Sequence, residues 1–538
     1  MAGRGFLLFF ACVASIVLAS AAPVRNDADC VSSQLLQVSG LNVYPTTHQI
    51  QSTKVTSVQD KTTIQVAQNF EVTYYSTFKV LTNLYTYANE SYVLYQCGTT
   101  PPDVTQYGLP ASTKMFAVPL RSVSVTDTSV LTFMKLLGVE SRVSYVTPYA
   151  VDPCMQQLAS SACNHTDSAA TSATVDARLG GFSVNSKDPL AITFTATADP
   201  GPLNRAEYIK YLAVLFNRES VANAQFNSLV AAYDNIRQQA ASYKSKTNAT
   251  SPLVAWLYYS PAYPSYGLPE QVDLQFAAYR KQYTEDAGGR LHNPAQLAAA
   301  YGDGANVTLA AGGTQLRFTN LSSSLAVLQR ILKDVDVVID ESYSANPAGY
   351  TLSDFLARYG LTNAPTTELR FLANQRLLRL DGSASPGGFT AWYEEAVARP
   401  DEVLRDLVSA LLPGALLAAG DSSAPRLVRS VFASNPGRVV TATAGECGLT
   451  AGQQCGAAAA ITPICPAVYI ACNGSLVAAT AEQPCAPASC PVPVVSTPSP
   501  SPVGSSAAAA RPLSAPLLLL AALLCAMMVV MGGANWAL

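Results

Sequence analysis

The apolar positions follow their clearest pattern between residues 206 and 243. Seven of them recur at intervals of four and three, the spacing of one face of an α-helix. They are Ala222, Phe226, Leu229, Tyr233, Ile236, Ala240 and Tyr243. No glycine or proline interrupts Glu219 to Tyr243, so we predict one helix about 37 Å long at ~1.5 Å per residue. Asn217 is expected to cap its start. Such a helix could cross a single large domain or join two smaller ones.

Short apolar runs on both sides of this helix predict alternating strands and helices. Before it, the predicted strands are 70–75, 78–81, 92–95, 115–125, 142–146 and 190–195, with a helix at 130–137. After it, the predicted strands are 253–258, 335–339 and 377–380, and the predicted helices are 269–283, 325–333, 352–359, 366–372, 389–397 and 401–412. This alternation favours the α/β class, with a parallel sheet in each half of the chain.

The two ends carry the patterns of targeting signals. A charged start, an apolar run at 6–18 and small residues at 19–21 are typical of a secretory signal peptide. Near the other end, small residues at 504–508, a spacer to 516 and an apolar run at 517–531 with no Lys or Arg after it indicate a GPI-attachment signal. A single transmembrane helix is the alternative. Both interpretations anchor the body of the protein at the outer face of the plasma membrane.

Sequons and cysteines agree with a secreted chain. Six Asn-X-Ser/Thr sites predict N-glycosylation. They are Asn89, Asn164, Asn248, Asn306, Asn320 and Asn473. Of 12 cysteines, Cys12 lies in the signal and Cys525 in the tail, which leaves ten that can pair in an oxidising compartment. They are Cys30, Cys97, Cys154, Cys163, Cys447, Cys455, Cys465, Cys472, Cys485 and Cys490. The last six predict a disulfide-rich module whose connectivity stays open.

Composition and motifs narrow the function classes. The 33 basic and 36 acidic residues give a net charge of -3 without basic runs, which argues against nucleic acid as a partner. Three histidines argue against a histidine-rich metal site, and we expect no cofactor. The chain has no G-x-S-x-G, G-x-x-x-x-G-K-[ST] or H-E-x-x-H motif, so we expect a protein that is not an enzyme.

The candidate binding residues are mostly aromatic. The strand at 253–258 runs into a loop rich in tyrosine and proline, and tyrosine suits a large amphipathic ligand because it has an apolar ring and a hydroxyl. The candidate ligand contacts are Thr126, Asp127, Tyr149, Trp256, Tyr258, Tyr259, Tyr263, Glu341, Tyr343, Trp392 and Tyr393. Packing in the core or in a loop is the alternative for each ring. A helix cap or a solvated turn is the alternative for Thr126, Asp127 and the pair Asp340-Glu341.

Several segments come in an order that resembles one known family. They are NFEVTYYSTFKVLTN, YVLYQCGTTPP, AVPLRSVSVTDTSVLTFMKLLGVESRVSYV, NRAEYIKYLAVLFNRESVANAQFNSLVAAYDNI, VVIDESY and LLRLDGSASPGGFTAWYEEAVARPDEVLRDLVSALLP. Together, over about 65–413, they resemble the class III periplasmic solute-binding proteins, the helical-backbone group that serves ferric-siderophore, haem and cobalamin ABC importers. The resemblance implies two Rossmann-like lobes with central sheets, joined by the single long helix.

The resemblance also implies a function. We expect a cell-surface binding protein for a small ligand, a ferric siderophore, haem or cobalamin, with an unknown permease or receptor as partner. The family is bacterial, whereas the sequons, cysteine module and anchor signal of this chain suggest a eukaryotic surface protein. The alternative is a glycosylated adhesion protein that kept the scaffold and lost the ligand.

The predicted organisation divides the chain into nine parts. They are a signal peptide at 1–21, an N-terminal arm at 22–64, a first lobe at 65–202, connecting helices at 203–250, a second lobe at 251–413, a linker at 414–446, a Cys-rich module at 447–490, a stalk rich in Pro, Ser and Ala at 491–516 and a hydrophobic tail at 517–538.

Overall fold

The computed structural model describes most of residues 62–433. The described ranges are 30–31, 36, 44, 62–161, 163–181, 187–362, 368–418, 420, 424–433 and the strand segments 438–439, 468–470 and 476–478. The predicted signal peptide, stalk, hydrophobic tail, Asn473 and the six cysteines from 447 to 490 lie outside these ranges. No helix in the described ranges has both the length and the apolar character needed to cross a bilayer.

The first lobe has two four-stranded sheets. Its strands are β1 (Phe70–Tyr74), β2 (Phe78–Asn83), β3 (Glu90–Gln96), β4 (Lys114–Val118), β5 (Val123–Val125), β6 (Val143–Val146), β7 (Ala177–Gly180) and β8 (Ala191–Thr193). Its helices are α1 (Ser129–Leu136) and α2 (Pro153–Ala159). One sheet has the order β1-β2-β3-β4, and the other is parallel throughout, with the order β6-β5-β7-β8.

The strand predicted at 115–125 is in fact two strands in two different sheets. Pro119 lies between them, and a proline has no N–H to continue a sheet ladder. Two residues of the predicted N-terminal arm contact this lobe: Val31 is buried in its core, and Cys30 forms a disulfide with Cys97. Cys154 and Cys163 are each disulfide-bonded as well.

The connecting segment ends in the predicted long helix. Two short helices, α3 (Pro202–Ala206) and α4 (Ile209–Ala213), precede α5 (Glu219–Thr247), which has 29 residues. Five of the seven residues of its predicted apolar stripe are buried, and Leu229 and Tyr243 are half-buried. Phe226 lies in the core of the first lobe, whereas Tyr233 and Ile236 lie in a core of the second. One face of one helix therefore belongs to both lobes.

The start of α5 is fixed by a buried ion pair rather than by the predicted cap. Asn217 has a left-handed backbone (φ 51°), and its side chain accepts a hydrogen bond from Lys79 Nζ at 2.8 Å. The same ammonium donates to Glu219 Oε1 at 2.6 Å and to the Val214 carbonyl at 2.8 Å. Lys79 is fully buried, and these three acceptors compensate its charge.

The second lobe is built on an eight-stranded mixed sheet. Its strands are β9 (Leu253–Ser260), β10 (Gln271–Gln275), β11 (Arg290–Leu291), β12 (Val307–Leu309), β13 (Gln315–Phe318), β14 (Val337–Asp340), β15 (Leu377–Arg379) and β17 (Arg429–Ser430). The order is β12-β13-β10-β9-β14-β15-β17, with β11 beside β9. Two further pairs are β16 (Ser383–Ala384) with β18 (Arg438–Val439) and β19 (Val468–Ile470) with β20 (Leu476–Ala478).

Eight helices of this half surround the large sheet or follow it along the described chain. They are α6 (Ala278–Asp286), α7 (Pro294–Tyr301), α8 (Leu321–Leu332), α9 (Leu352–Arg358), α10 (Arg370–Ala373), α11 (Ala391–Glu395), α12 (Pro400–Leu411) and α13 (Ala415–Ala418). The α/β class with two lobes joined by one long helix is confirmed. The disulfide-rich segment of that prediction lies outside the described residues.

Three predictions for the second lobe need correction. Its sheet is parallel only around β9, β11, β14 and β15, and the other pairs are antiparallel. The predicted helix 269–283 begins as strand β10, because Val272 and Leu274 alternate with polar residues. The lobe also continues beyond 413: β17 completes the sheet, and Leu427 is buried in the core.

The Lys79–Glu219 pair gives a test of what holds α5 in place. We expect Lys79→Met to lower the free energy of unfolding by about 3–5 kcal/mol, because it leaves the Glu219 carboxylate buried without its cation. Lys281→Met is the matched control. Lys281 pairs with Glu285 on the surface, so its loss should cost under about 0.5 kcal/mol. Denaturant unfolding of the purified protein measures both, and equal effects would contradict the anchoring role.

Candidate functional site

Three tyrosines surround an ion pair at the carboxyl edge of the large sheet. Arg280 donates from Nε and Nη2 to the two carboxylate oxygens of Glu341, at 2.6 Å each. The Tyr279 ring lies 4.5 Å from the Arg280 guanidinium. Tyr258 and Tyr393 complete the group, which we call the tyrosine cluster. All five side chains are partly buried.

The secondary structure explains why these five residues meet. Tyr258 lies near the end of β9, and Glu341 follows β14, its parallel neighbour. Carboxyl ends of parallel strands share one edge, the usual place for ligand sites in α/β sheets. Tyr279 and Arg280 lie in the first turn of α6, and Tyr393 lies on α11. Two strands and two helices therefore place five side chains at one edge.

Two hydroxyl groups in the cluster have no protein partner. Within the part of the chain that the structure describes, no group is hydrogen-bonded to the hydroxyl of Tyr258 or of Tyr393, and neither oxygen is closed off from the surroundings. A phenol hydroxyl can donate one hydrogen bond and accept others, and the described residues use neither capacity here. Partly buried, unpaired hydroxyls beside an ion pair are therefore suited to receive a ligand.

Burial sets the protonation of the cluster. It raises the pKa of Tyr258 well above the usual range for a phenol, and the neighbouring Tyr393 raises it further. Burial likewise raises the pKa of Tyr393, with a further contribution from the Glu341 carboxylate. For Arg280, burial lowers the pKa but the attraction of Glu341 outweighs it, so the pKa is raised. At neutral pH the two tyrosines are neutral hydrogen-bond donors and the arginine is charged.

The second lobe is in contact with both the connecting segment and the first lobe. Arg205 of α3 stacks on the Tyr279 ring at 3.7 Å, with its Nε donating to the Asp199 carbonyl at 2.8 Å. Tyr149, a predicted contact from the first lobe, packs edge to face on Phe389 of the second lobe at 4.9 Å. Tyr149 therefore contacts the second lobe, and its role as a ligand contact stays a prediction.

The other two candidates from the first lobe lie just before α1. The Asp127 carboxylate accepts from the Ser129 backbone N–H at 2.9 Å and from the Ser129 hydroxyl at 2.8 Å. The Thr126 backbone N–H donates to the Leu179 carbonyl at 2.9 Å. Both residues are half-buried. The contacts of Asp127 lie in the first turn of α1, as its cap alternative states, whereas Thr126 is bonded to β7 and does not cap the helix.

Trp256 is a core residue and offers no surface to a ligand. Its side chain is fully buried, and its Nε1 donates to Thr284 Oγ1 at 2.9 Å. Trp392 is half-buried, packs against the same core and has its ring 6.4 Å from that of Trp256. The core-packing alternative therefore holds for Trp256, and we do not keep it among the proposed contacts.

Tyr259 faces the opposite side of the sheet from Tyr258, because neighbouring residues of a strand point to opposite faces. Its hydroxyl donates to Glu270 at 2.6 Å, and the Arg358 guanidinium lies 5.4 Å from its ring. Burial, together with Glu270, raises the pKa of Tyr259 to about 12. Tyr259 is thus separated from the cluster by its own strand.

Tyr263 and Tyr343 flank the cluster. Both are half-buried. Burial raises the pKa of Tyr263, and Tyr343 adds to the increase. Tyr263 also contributes to the raised pKa of Tyr258. These effects show that Tyr258, Tyr263 and Tyr343 lie near one another. Tyr263 and Tyr343 therefore stay predicted ligand contacts beside the tyrosine cluster.

Asp340 precedes Glu341 in sequence but has different partners. Its carboxylate accepts from Arg379, Tyr350 and Tyr359 at 2.7, 2.7 and 2.9 Å. Burial alone would raise the pKa of Asp340, but Arg379 and these hydrogen bonds lower it below its usual value. Asp340 therefore holds the strand end in place and leaves Glu341 to pair with Arg280.

Sequence reasoning missed Arg205, Tyr279 and Arg280. The predicted helix at 269–283 put Tyr279 and Arg280 within a helix rather than at its start, and nothing in the local sequence links Arg205 to either of them. A strand interpretation of the alternating residues 271–275 would have brought the helix start to residue 278, at the edge of the sheet.

The remaining predicted sites concern glycosylation and metal binding. Asn89, Asn164, Asn248 and Asn320 are exposed, whereas Asn306 is half-buried and donates to Asp303. Among the described residues no group of three or more His, Cys, Asp or Glu side chains is placed to hold a metal ion.

A cavity of about 170 Å³ lies away from the tyrosine cluster. Side chains of α1, α5 and the segment after α11 line it, among them Leu136, Phe226 and Ala398.

Comparisons with known proteins give structural similarity only. No family model matches the sequence, and no curated protein matches it. A periplasmic haem-binding protein of Pseudomonas aeruginosa is 15% identical, covering 58% of this chain and 98% of its own, with a TM-score of 0.36.

Two further solved structures are similar at the same level. A possible iron-binding periplasmic protein of Staphylococcus epidermidis is 12% identical over 55% of this chain and 99% of its own, with a TM-score of 0.36. A haem-binding protein of a Roseiflexus species is 13% identical over 53% of this chain and 99% of its own, with a TM-score of 0.32. At these scores and identities the similarities do not by themselves establish a function for this chain.

The Arg280–Glu341 pair can be tested without a ligand. We expect Arg280→Met to lower the free energy of unfolding by about 3 kcal/mol or more, because Glu341 is left buried without a cation. Arg280→Lys keeps the charge but cannot bridge both oxygens, so its effect should be smaller. Arg237→Met, at an exposed pair with Asp234, should change stability by under about 0.5 kcal/mol. If all three variants unfold alike, the pair does not organise this edge.

Proposed function

We propose that the protein binds a small oxygen-rich ligand between its two lobes and does so without catalysis. The observation that carries the proposal is the tyrosine cluster, in which the hydroxyls of Tyr258 and Tyr393 are unpaired beside the Arg280–Glu341 ion pair. Its position at the carboxyl edge of parallel strands is the usual one for ligand sites in α/β proteins. The aromatic rings supply apolar contact area, and the hydroxyls supply direction.

We propose a metal chelate as the ligand: a ferric siderophore, haem or cobalamin. The order of segments that resembles the class III solute-binding proteins supports this class. The protonation of the cluster supports a complete chelate rather than a bare cation, because neutral phenols donate hydrogen bonds to oxygen atoms of a ligand. A bare cation would need a tyrosinate, and burial opposes ionisation of Tyr258 and Tyr393.

Titration of the purified ectodomain with haem, cobalamin and a panel of ferric siderophores tests the proposal. We expect saturable binding of at least one of them at micromolar concentration. Tyr258→Ala should then weaken binding by about 1–3 kcal/mol, roughly ten- to a hundredfold, because it removes a ring and a donor from the site.

Tyr259→Ala is the matched control for that experiment. It removes the same side chain one residue along β9, on the face turned away from the cluster, so affinity should change little. If neither variant changes the affinity, the ligand binds elsewhere, and the half-buried Tyr393 and Trp392 are the next positions to replace. Absence of binding by every member of the panel would remove the proposed ligand class.

The second candidate function is a glycosylated adhesion protein that keeps the scaffold without a ligand. Contacts across the lobes favour it, because Tyr149 on Phe389 and Arg205 on Tyr279 occupy space between them. The same titration distinguishes the two candidate functions. An adhesion protein without a ligand would bind no chelate, and Tyr258→Ala would change no binding signal.

We also propose that the protein is anchored at the outer face of the plasma membrane, with an unidentified receptor or permease as partner. The support is the pattern of small residues, spacer and apolar tail at 504–538. A phospholipase specific for GPI anchors should release the protein from intact cells into the medium. Protein that stays on treated cells and needs detergent for extraction would indicate a spanning helix instead.

A further inference from the structure

A buried carboxylate of the second lobe holds the backbone of the first. Glu394 lies on α11 and is 2% exposed. Its Oε2 accepts from the Val151 backbone N–H at 2.6 Å, and its Oε1 accepts from the Asp152 backbone N–H at 2.8 Å. Those amides lie just before α2, more than two hundred residues earlier in the chain. Side chain and backbone thus join the two lobes directly.

The same short helix carries part of the candidate site. Helix α11 has five residues, and Tyr393 directly precedes Glu394. Tyr393 lies in the tyrosine cluster on one side of the helix, while Glu394 contacts the first lobe on the other. A five-residue helix has few hydrogen bonds of its own, so its position depends on such tertiary contacts. Movement of Glu394 away from Val151 would move Tyr393 as well.

We infer that Glu394 is a positioning residue, which pins α11 to the first lobe and thereby fixes Tyr393 and the spacing of the lobes at the candidate site. The inference rests on the proposed function only where a ligand is concerned. The contact between the lobes exists without one, so it can be tested separately.

The charges around Glu394 make this contact sensitive to pH. Asp152 faces it from the first lobe, and Glu395 follows it on the same helix. Lys135 of α1 binds Asp152 at 2.9 Å, and Arg426 pairs with Glu395. Burial raises the pKa of Glu394 to about 8; the two backbone N–H groups oppose the increase, and Asp152 and Glu395 add to it.

The direction of the pH effect follows from these pKa values. In a state with parted lobes Glu394 would meet water and return to the usual pKa of about 4.3. Between that value and about 8 the closed state holds one proton more than the parted state. Closure is therefore favoured at the acidic end of this window, and the parted fraction should rise by up to about tenfold per pH unit through it.

Hydrogen exchange of the intact secreted protein, measured by mass spectrometry on the peptide 147–156, tests the inference without any ligand. After correction for intrinsic exchange rates, protection of this peptide should fall from pH 5.5 to pH 8 in the wild type. Glu394→Gln cannot titrate and should remove the pH dependence. Its NH2 group is a donor and cannot accept from a backbone N–H, so one of the two amides loses its acceptor and protection at pH 5.5 should fall below that of the wild type. Glu394→Ala should lower protection at every pH.

Two controls separate a positioning role from a general loss of structure. Glu395→Gln changes the neighbouring charge and should keep the pH dependence, with at most a shifted midpoint. The peptide that contains β14 reports the core of the second lobe and should stay protected in all variants. Protection of 147–156 that is as high in Glu394→Ala as in the wild type would overturn the positioning role. A flat wild-type profile, or an unchanged slope in Glu394→Gln, would overturn its pH dependence. If the alanine variant fails to fold, the protection of 147–156 in the glutamine variant at pH 5.5 still decides the positioning role.

Ligand binding then provides a separate readout. If a ligand from the panel binds, Glu394→Gln should flatten the pH profile of its affinity, although Glu394 touches no ligand atom. If no ligand binds, the proposed function fails, but the hydrogen-exchange result still tests the role of Glu394. The two failures can therefore be told apart.

Discussion

One apolar stripe on α5 is shared by the cores of both lobes, and the rest of the architecture depends on it. Phe226 packs in the first core, and Tyr233 and Ile236 pack in the second. Because the backbone N–H and C=O groups inside a helix are bonded along it, the helix resists bending. The buried Lys79–Glu219 pair fixes its start. Removing either core would leave half of the stripe exposed, so neither lobe is independent of the helix.

This constraint bears on how the candidate site is organised. A stiff connector restricts large hinge closure, so a site between the lobes has to be largely formed before a ligand arrives. Preorganisation of this kind lowers the ordering cost of binding. Below the tyrosine cluster, Arg379 joins Asp340 and Asp381 at 2.7 and 2.6 Å, and Arg429 extends the network. These buried ion pairs hold the strand ends from which the site begins.

The sequence predicts the long helix and the α/β class well, because periodicity reports which residues share a face. Periodicity cannot show which face of a strand packs against which helix. On β9 the alternation separates Tyr258 from Tyr259, but only the packing of α6 and α11 shows that Tyr258 faces the cluster and that Trp256 on the same face is sealed in the core. Arg280 and Glu341 are 61 residues apart, and no local pattern joins them.

The boundary of the second lobe shows the same limit. Residues after 413 look like a linker in sequence, yet Asp406 accepts the backbone N–H groups of Arg426, Leu427 and Val428. Three donors on one carboxylate tie this passage to α12 and bring β17 to the edge of the sheet. A segment that looks like a linker in sequence can therefore belong to a core when a buried carboxylate from another helix accepts its backbone N–H groups.

Protonation links the candidate site with the contact between the lobes. Tyr393 and Glu394 are neighbours on α11, and burial raises the pKa of both. For the tyrosine the raised value keeps a hydrogen-bond donor in the site across the whole physiological range, whereas for the glutamate it moves the titration into that range. The donor groups of the site therefore stay constant while the contact that positions them responds to pH. A change in acidity would then act on the geometry of the cluster and leave its chemistry unaltered.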